Sequence, residues 1–260
     1  MRGTLLAVGG VAATVCGAAW RADRALGTGP SLFIVAVVGA GAYVVGTFRH
    51  GSPVFGRALR VRPPDDAFAL TFDDGPDPRF TPRISSYLAG RGHRATFFVL
   101  GRHVSAHPEV AAQVVEDGHE LANHGRDHRL LAFSLPGEVR DQIDSTEEAV
   151  RGATGSPPAR LFRAPHGVRS PWLVPTLRRL GYRLCGWDGR VFDTAEPGCE
   201  AIVERVAEVL RPGAIVLLHD GDGSGLLGSR EQTVGALPAI LDEAEERGLR
   251  SVPLSVLSDP

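Results

Sequence analysis

Short apolar runs alternate with longer amphipathic windows through most of this chain, and no other feature restricts its fold as much. Ala67–Phe72, Ala95–Leu100, Arg183–Trp187, Ala214–His219 and Ser251–Leu254 have the length of strands and are bounded by Gly, Pro or Asp. Pro82–Gly90, Pro108–Asp117, Gly137–Arg151, Pro171–Leu180, Glu200–Leu210 and Gln232–Arg247 place apolar residues near helical spacing. Several of these windows open at a proline, which suits a first helical turn. The alternation predicts an α/β domain on a parallel sheet, either open or closed into a barrel. Ligands of such folds collect at the carboxyl ends of the strands. Polar residues recur there: Asp73 and Asp74 end the first run, Arg163 follows the short Leu161–Phe162, and Asp188 and Asp193 follow the run at 183–187. His219 and Asp220 end AIVLLHD.

The first of these ends reads TFDDGPD. Taken alone it is a turn, since Asp, Gly and Pro favour turns for local reasons. Two adjacent carboxylates in a partly dry site repel, and one is driven towards its neutral form unless a cation is near or the two have different tasks. A cation site is offered by NHGRDH, where His124 and His128 share one face if the segment is a helical turn. With an Asp from another strand end they make a two-His, one-carboxylate set that leaves a position open for water. One member of the doublet would then bind the ion and the other accept a proton from water.

TFDDGPD, HGRDH, RAPHG and LLHD, in this order, resemble the motifs of the polysaccharide deacetylase family, carbohydrate esterase family four, also called the NodB-homology domain. The resemblance runs from Ala67 to Leu254. It implies a distorted (β/α) barrel and metal-dependent removal of acetyl groups from N-acetylated sugars, such as peptidoglycan or a related glycan. A small or lipid-linked acetylated sugar is the alternative substrate, and a non-catalytic glycan-binding relative is the rival class. Position by position, the resemblance makes Asp73 the general base and Asp74, His124 and His128 the ligands of one divalent transition metal. Zn2+ is expected there by default, with Co2+ or Ni2+ as alternatives. Arg163 matches an arginine that pairs with an acid, expected to be Asp193, and orients the base. His219 matches the general acid and Leu217 a wall of the acetyl pocket. A main-chain N–H near His166 is the expected second oxyanion donor.

Four positions depart from the family pattern. Gly125 stands where Ser or Thr usually steadies the loop between the histidines, and His166 where Tyr usually follows the motif proline. Arg190 and Thr194 stand where Asp and Trp are frequent, which makes Trp187 the candidate pocket wall. His93, His103, His107 and His119 read as solvated or loop residues, Phe97 and Phe98 as strand core, and Trp172 as packing. With 3 Trp and 3 Tyr, sugar-stacking platforms are scarce, which favours a short substrate.

The N-terminus has another character. Thr4–Trp20 and Ser31–Phe48 carry no charge, and Arg21, Asp23 and Arg24 lie between them. Each run is near the short end of the roughly 17–25 residues that cross a bilayer. Residues 1–48 are therefore expected to hold one or two transmembrane helices, with a linker at 49–65 and the catalytic domain at 66–260. A second apolar run directly after the first argues against a cleaved signal peptide. For a two-span hairpin, Arg2, Arg49, Arg57, Arg60 and Arg62 outnumber Arg21 and Arg24 and favour a cytoplasmic domain. The glycan implied by the resemblance favours the outside, and an extracytoplasmic domain attached to membrane lipid is the expectation. A net charge of −2 gives no basic face, so nucleic acid is not an expected partner. Cys16, Cys185 and Cys199 show no C-x-x-C spacing; a Cys185–Cys199 bridge stays open.

Overall fold

All seven residues of Ala67–Asp73 are buried in the computed structural model, and this apolar run forms strand β1 of a parallel sheet. The structure describes residues 31–48, 66–225 and 227–258, with Thr14, Ala18, Arg21, Phe55, Ala58, Leu59 and Val61 besides. The further strands are β2 (Ala95–Val99), β3 (Glu120–Asn123), β4 (Leu161–Phe162), β5 (Arg183–Leu184), β6 (Ile215–His219) and β7 (Arg250–Ser251). Their order is β5-β4-β3-β2-β1-β6, with β7 paired to the start of β1. Every ladder is parallel, as expected of strands joined by helices. The sheet curls until Asp188, beyond β5, meets β6: its N–H donates to Ile215 O at 2.8 Å, and Asp188 bridges Val216. The result is a half-barrel whose edges touch at that bridge.

Helices fill the connections: α1 (Ser31–Phe48), α2 (Thr81–Gly90), α3 (Gly101–Ala106), α4 (Pro108–Glu116), α5 (Pro136–Thr154), α6 (Leu173–Arg179), α7 (Cys199–Val209), α8 (Glu231–Glu246) and α9 (Leu254–Leu257). Prolines 82, 108 and 136 lie in first turns, where a missing N–H costs nothing. The main core joins β1, β2 and β6 to the helices packed on them, and Phe72 stacks on Phe97 at 5.0 Å. Phe97 and Phe98 are core, as read from the sequence. The run at 251–254 divides at Pro253, where β7 has ended and α9 begins.

Three readings of the sequence change. His93, His103 and His119 are buried, not solvated, and their rings carry hydrogen bonds between elements. His93 Nδ1 accepts from Ser251 N, His119 Nδ1 accepts from Ala95 N, and His103 Nδ1 lies 2.8 Å from Asp74 O. Trp172 is half exposed rather than packed. Cys185 is buried and Cys199 exposed, both free, so no bridge joins them; burial pushes the Cys185 thiol up to about 12.

The fourth change concerns the membrane segment. Among the described residues no helix is long and apolar enough to cross a membrane. The charge-free run at 31–48 forms one helix of 18 residues, but its last turns are engaged by the α/β fold. Gly46 and Thr47 are buried, Tyr43 Oη donates to Ala132 O at 2.5 Å, and Arg169 N donates to Thr47 O at 3.3 Å. At ~1.5 Å per residue the part before Tyr43 spans ~18 Å, well short of a hydrocarbon layer of ~30 Å. Most of the run at 4–20 and most of the linker at 49–65 lie outside the described residues.

Candidate active site

Strand ends deliver the site. Asp73 closes β1, His124 follows β3, Arg163 follows β4 and His219 closes β6. Asp73 and His219 are register partners on adjacent strands. Asp74 turns the chain off β1 with φ 75, a left-handed conformation that Asp tolerates better than most residues. Gly75 has to be glycine, because a Cβ there would overlap the buried Asp220 carboxylate.

The two histidines do not share a helical turn. His124 leaves a strand, His128 has φ 58, and the loop between them is coil. Their rings still converge: His128 Nε2 lies 3.1 Å and His124 Nε2 3.4 Å from Asp74 Oδ1. His124 Nδ1 lies 2.9 Å from Arg163 O and so carries the proton, which turns the Nε2 lone pair towards Asp74. Asn123 and Gln142 steady the loop in place of a residue-125 hydroxyl. Asn123 Oδ1 accepts from Gly125 N at 2.9 Å, and Gln142 Oε1 accepts from Arg126 N at 2.8 Å. Gly125 has φ 83, which a Ser or Thr side chain would strain.

Whether these residues suit a metal can be tested on their own chemistry. Asp74 Oδ1 is buried and without a hydrogen-bond partner, yet it faces two imidazole nitrogens, all within 4.8 Å of one another. Burial would raise the Asp74 pKa, but His124 and His128 outweigh it and hold the carboxyl well below its usual range. Burial also pushes His128 down to about 3, leaving it neutral with a lone pair to give. Burial opposes charge on His124 as well, but Asp73 and Asp74 outweigh it and raise its pKa. A neutral His128, a His124 whose Nε2 points at Asp74, and a carboxylate with an unpartnered oxygen are the donor types of a divalent transition metal. The proton that the carboxylates favour on His124 would be displaced by the charge of the ion.

Around this triad stand two separate charge pairs. Arg163 is fully buried and donates from Nη1 to Asp73 Oδ1 at 2.7 Å and to Thr71 Oγ1 at 2.9 Å. Its guanidinium lies 4.0 Å from the Phe98 ring centroid. The expected Arg163–Asp193 pair is therefore replaced by Arg163–Asp73. Asp193 lies instead beside β6, where His219 Nδ1 is 2.8 Å from Oδ1, and His219 N and Thr233 Oγ1 both bond Oδ2. The curl of the sheet brings β4 to Asp73 and leaves Asp193 on the other flank. Burial would lower the His219 pKa, but Asp193 outweighs it and lifts it to about 9. Asp188 binds Arg211 at 2.9 Å and takes no part.

These groups open on a cavity of about 800 Å³ lined also by Leu217, Trp187, His166, Arg190 and Thr194. His166 has φ 58 and its ring centroid is 4.3 Å from that of His128; burial lowers its pKa. Gly167 packs edge-on against Trp187, where a Cβ would come within 2.8 Å of the indole. Sequence reasoning passed over Thr71, Gln142 and Thr233, and gave no role in the site to His103 or Asp220. The last has Oδ2 bonded to Thr81 Oγ1 at 2.5 Å, and burial pushes its pKa up to about 7. Only Asp220, at a strand end, had a signal in the sequence.

The polysaccharide deacetylase family profile matches residues 60–185. A chitooligosaccharide deacetylase of Bradyrhizobium sp. (strain ANU 289) is 39% identical over 194 residues, covering 72% of this chain and 89% of that one. A peptidoglycan-N-acetylglucosamine deacetylase of Bacillus cereus is 37% identical over 191 residues, covering 73% and 86%. Among solved structures, the Bc1960 peptidoglycan N-acetylglucosamine deacetylase superposes with a TM-score of 0.70 at 29% identity, covering 75% of this chain and 90% of that one.

Proposed function

This chain belongs to the polysaccharide deacetylase family, hydrolases of N-acetyl amide bonds, and we propose that it removes acetyl groups from an amino-sugar glycan of the cell envelope. The observation that carries this reading is the convergence of Asp74, His124 and His128 between the two charge pairs Asp73–Arg163 and His219–Asp193. Asp74, His124 and His128 would hold the divalent ion, which when bound polarises the acyl carbonyl and acidifies water. Zinc is the first choice for this donor set, and cobalt or nickel the next.

The remaining work falls to the chain's own groups. Asp73 has one oxygen fixed by Arg163, while Oδ2 faces His124 at 3.8 Å, on the side where water would attack. It takes the proton of that water. The main-chain N–H of His166 is the second donor to the oxyanion. His219 gives its Nδ1 proton's hydrogen bond to Asp193, which leaves Nε2–H to protonate the departing amine. Leu217 and Trp187 wall the acyl group. Acetate release from N-acetylated chitooligosaccharides and from peptidoglycan tests the reading directly. Turnover is expected to vanish with a chelator, return with zinc, and be lost in His128→Ala together with the bound metal. A chelated protein with full turnover would refute it.

Residues 1–48 are proposed as the membrane attachment, 49–65 as a linker and 66–260 as the catalytic domain, outside the cytoplasm. The support is the charge-free character of both runs and the exposure of Ile34, Val35, Val37 and Val38 on α1. Such apolar side chains favour lipid over water. Protease added to spheroplasts is expected to digest the domain at 66–260 and spare a lipid-protected fragment. Full protection that ends only with detergent would put the domain inside.

A further inference from the structure

We infer that α1 is part of the active site as well as an attachment segment: its last residue, Phe48, forms a wall of the substrate cavity and stacks on a sugar ring. Phe48 lines the same cavity of about 800 Å³ as Asp74, His128, His166 and Trp187. That volume exceeds what an acetyl group needs and leaves room for the sugar that carries it.

The helix end is fixed there by several contacts. Tyr43 stacks on Phe133 with centroids 6.1 Å apart and planes 15° from parallel, and meets Phe55 edge-on at 5.7 Å. Its hydroxyl donates to Ala132 O. One turn later, Thr47 O, one of the carbonyls that a helix end leaves without an internal partner, accepts from Arg169 N. Arg169 belongs to the segment that carries His166 and Gly167, so the helix end is bonded to the loop beside the metal ligands. Phe48 and Trp187 both line the cavity, and an aromatic side chain there suits the apolar C–H face of a pyranose ring. The chemistry points to an acetylated aminosugar oligosaccharide as the occupant.

This inference rests on the deacetylase reading, and the experiment separates the two. Full-length protein in detergent micelles is compared as wild type, Phe48→Ala, Phe48→Tyr and Tyr43→Ala. The readouts are acetate release from an N-acetylated chitooligosaccharide and equilibrium binding of that oligosaccharide. Loss of one aromatic face is expected to raise KM and Kd about threefold to tenfold in Phe48→Ala, with kcat within about twofold. Phe48→Tyr is expected to restore both constants, and Tyr43→Ala, which loosens the helix without touching substrate, to raise them. Wild-type KM and Kd in Phe48→Ala would overturn the inference. Absence of acetate release by the wild type would overturn the deacetylase reading instead, and the binding series would still decide the role of Phe48.

Discussion

Asp73→Asn is expected to lower kcat about a thousandfold while the protein keeps its metal, within the range that loss of a general base ordinarily costs. The amide has the shape of the carboxylate but cannot take a proton from water. Asp73 lies outside the convergent donors Asp74, His124 and His128, so metal content measured on the purified variant should match the wild type. The same change leaves the buried Arg163 guanidinium without its anion. Because the amide oxygen can still accept from Nη1, the loss of stability should stay below the roughly 3–5 kcal/mol of a fully orphaned buried charge. Arg163→Ala should also lower kcat, and in combination with Asp73→Asn should add little, since the two act as one unit. The Arg163→Ala and Asp193→Ala losses should be close to additive, because the two residues belong to different pairs. Full turnover in Asp73→Asn, or loss of metal in step with loss of turnover, would remove Asp73 from the role of base.

The parts of this site that sit at the end of a clear apolar run were legible from residues alone. Asp73, Asp74 and His219 announce themselves because β1 and β6 are apolar and end abruptly on polar groups. Strand β3, ELAN, has too few apolar residues for a period, so the origin of His124 in a strand was obscure, whereas the dipeptide β4 still marked Arg163 as a strand-end residue. Arg163 meets Asp73, the base it was expected to orient, but its expected pairing with Asp193 was wrong for a different reason. Which carboxylate a buried guanidinium meets depends on the curl of the sheet, and spacing along the chain carries no record of it. Gln142 is similar: nothing along the chain singles it out, yet its amide oxygen accepts from the loop between the two histidines. His103 reads as solvated, yet its ring fixes the main chain of Asp74. Phe48 lies in a charge-free run, so its apolar character suggests lipid and conceals its place in the cavity.

Asp193→Asn is expected to move the alkaline limb of the kcat/KM profile from about 9 to a lower pH. His219 has to be protonated to serve as acid, and the Asp193 carboxylate is what holds the proton there against burial. With a neutral amide in its place, burial is opposed only by the charges of Asp74 and Asp73, and the imidazolium releases its proton at lower pH. At pH 8 the wild type would keep most of its acid form, whereas the variant would lose more than about tenfold in kcat/KM and recover part of it on acidification. Stability should follow the same group. A histidine pKa raised in the folded state contributes stability that is fully present below 6.5 and is lost as pH rises through about 9. The wild-type melting temperature should therefore fall across that window, and this component should be missing from the variant. The profile distinguishes tuning of the acid from a general loss of packing, which would scale kcat/KM down at every pH and leave the limb in place. A limb still near 9 in Asp193→Asn would assign the proton donor to a group other than His219.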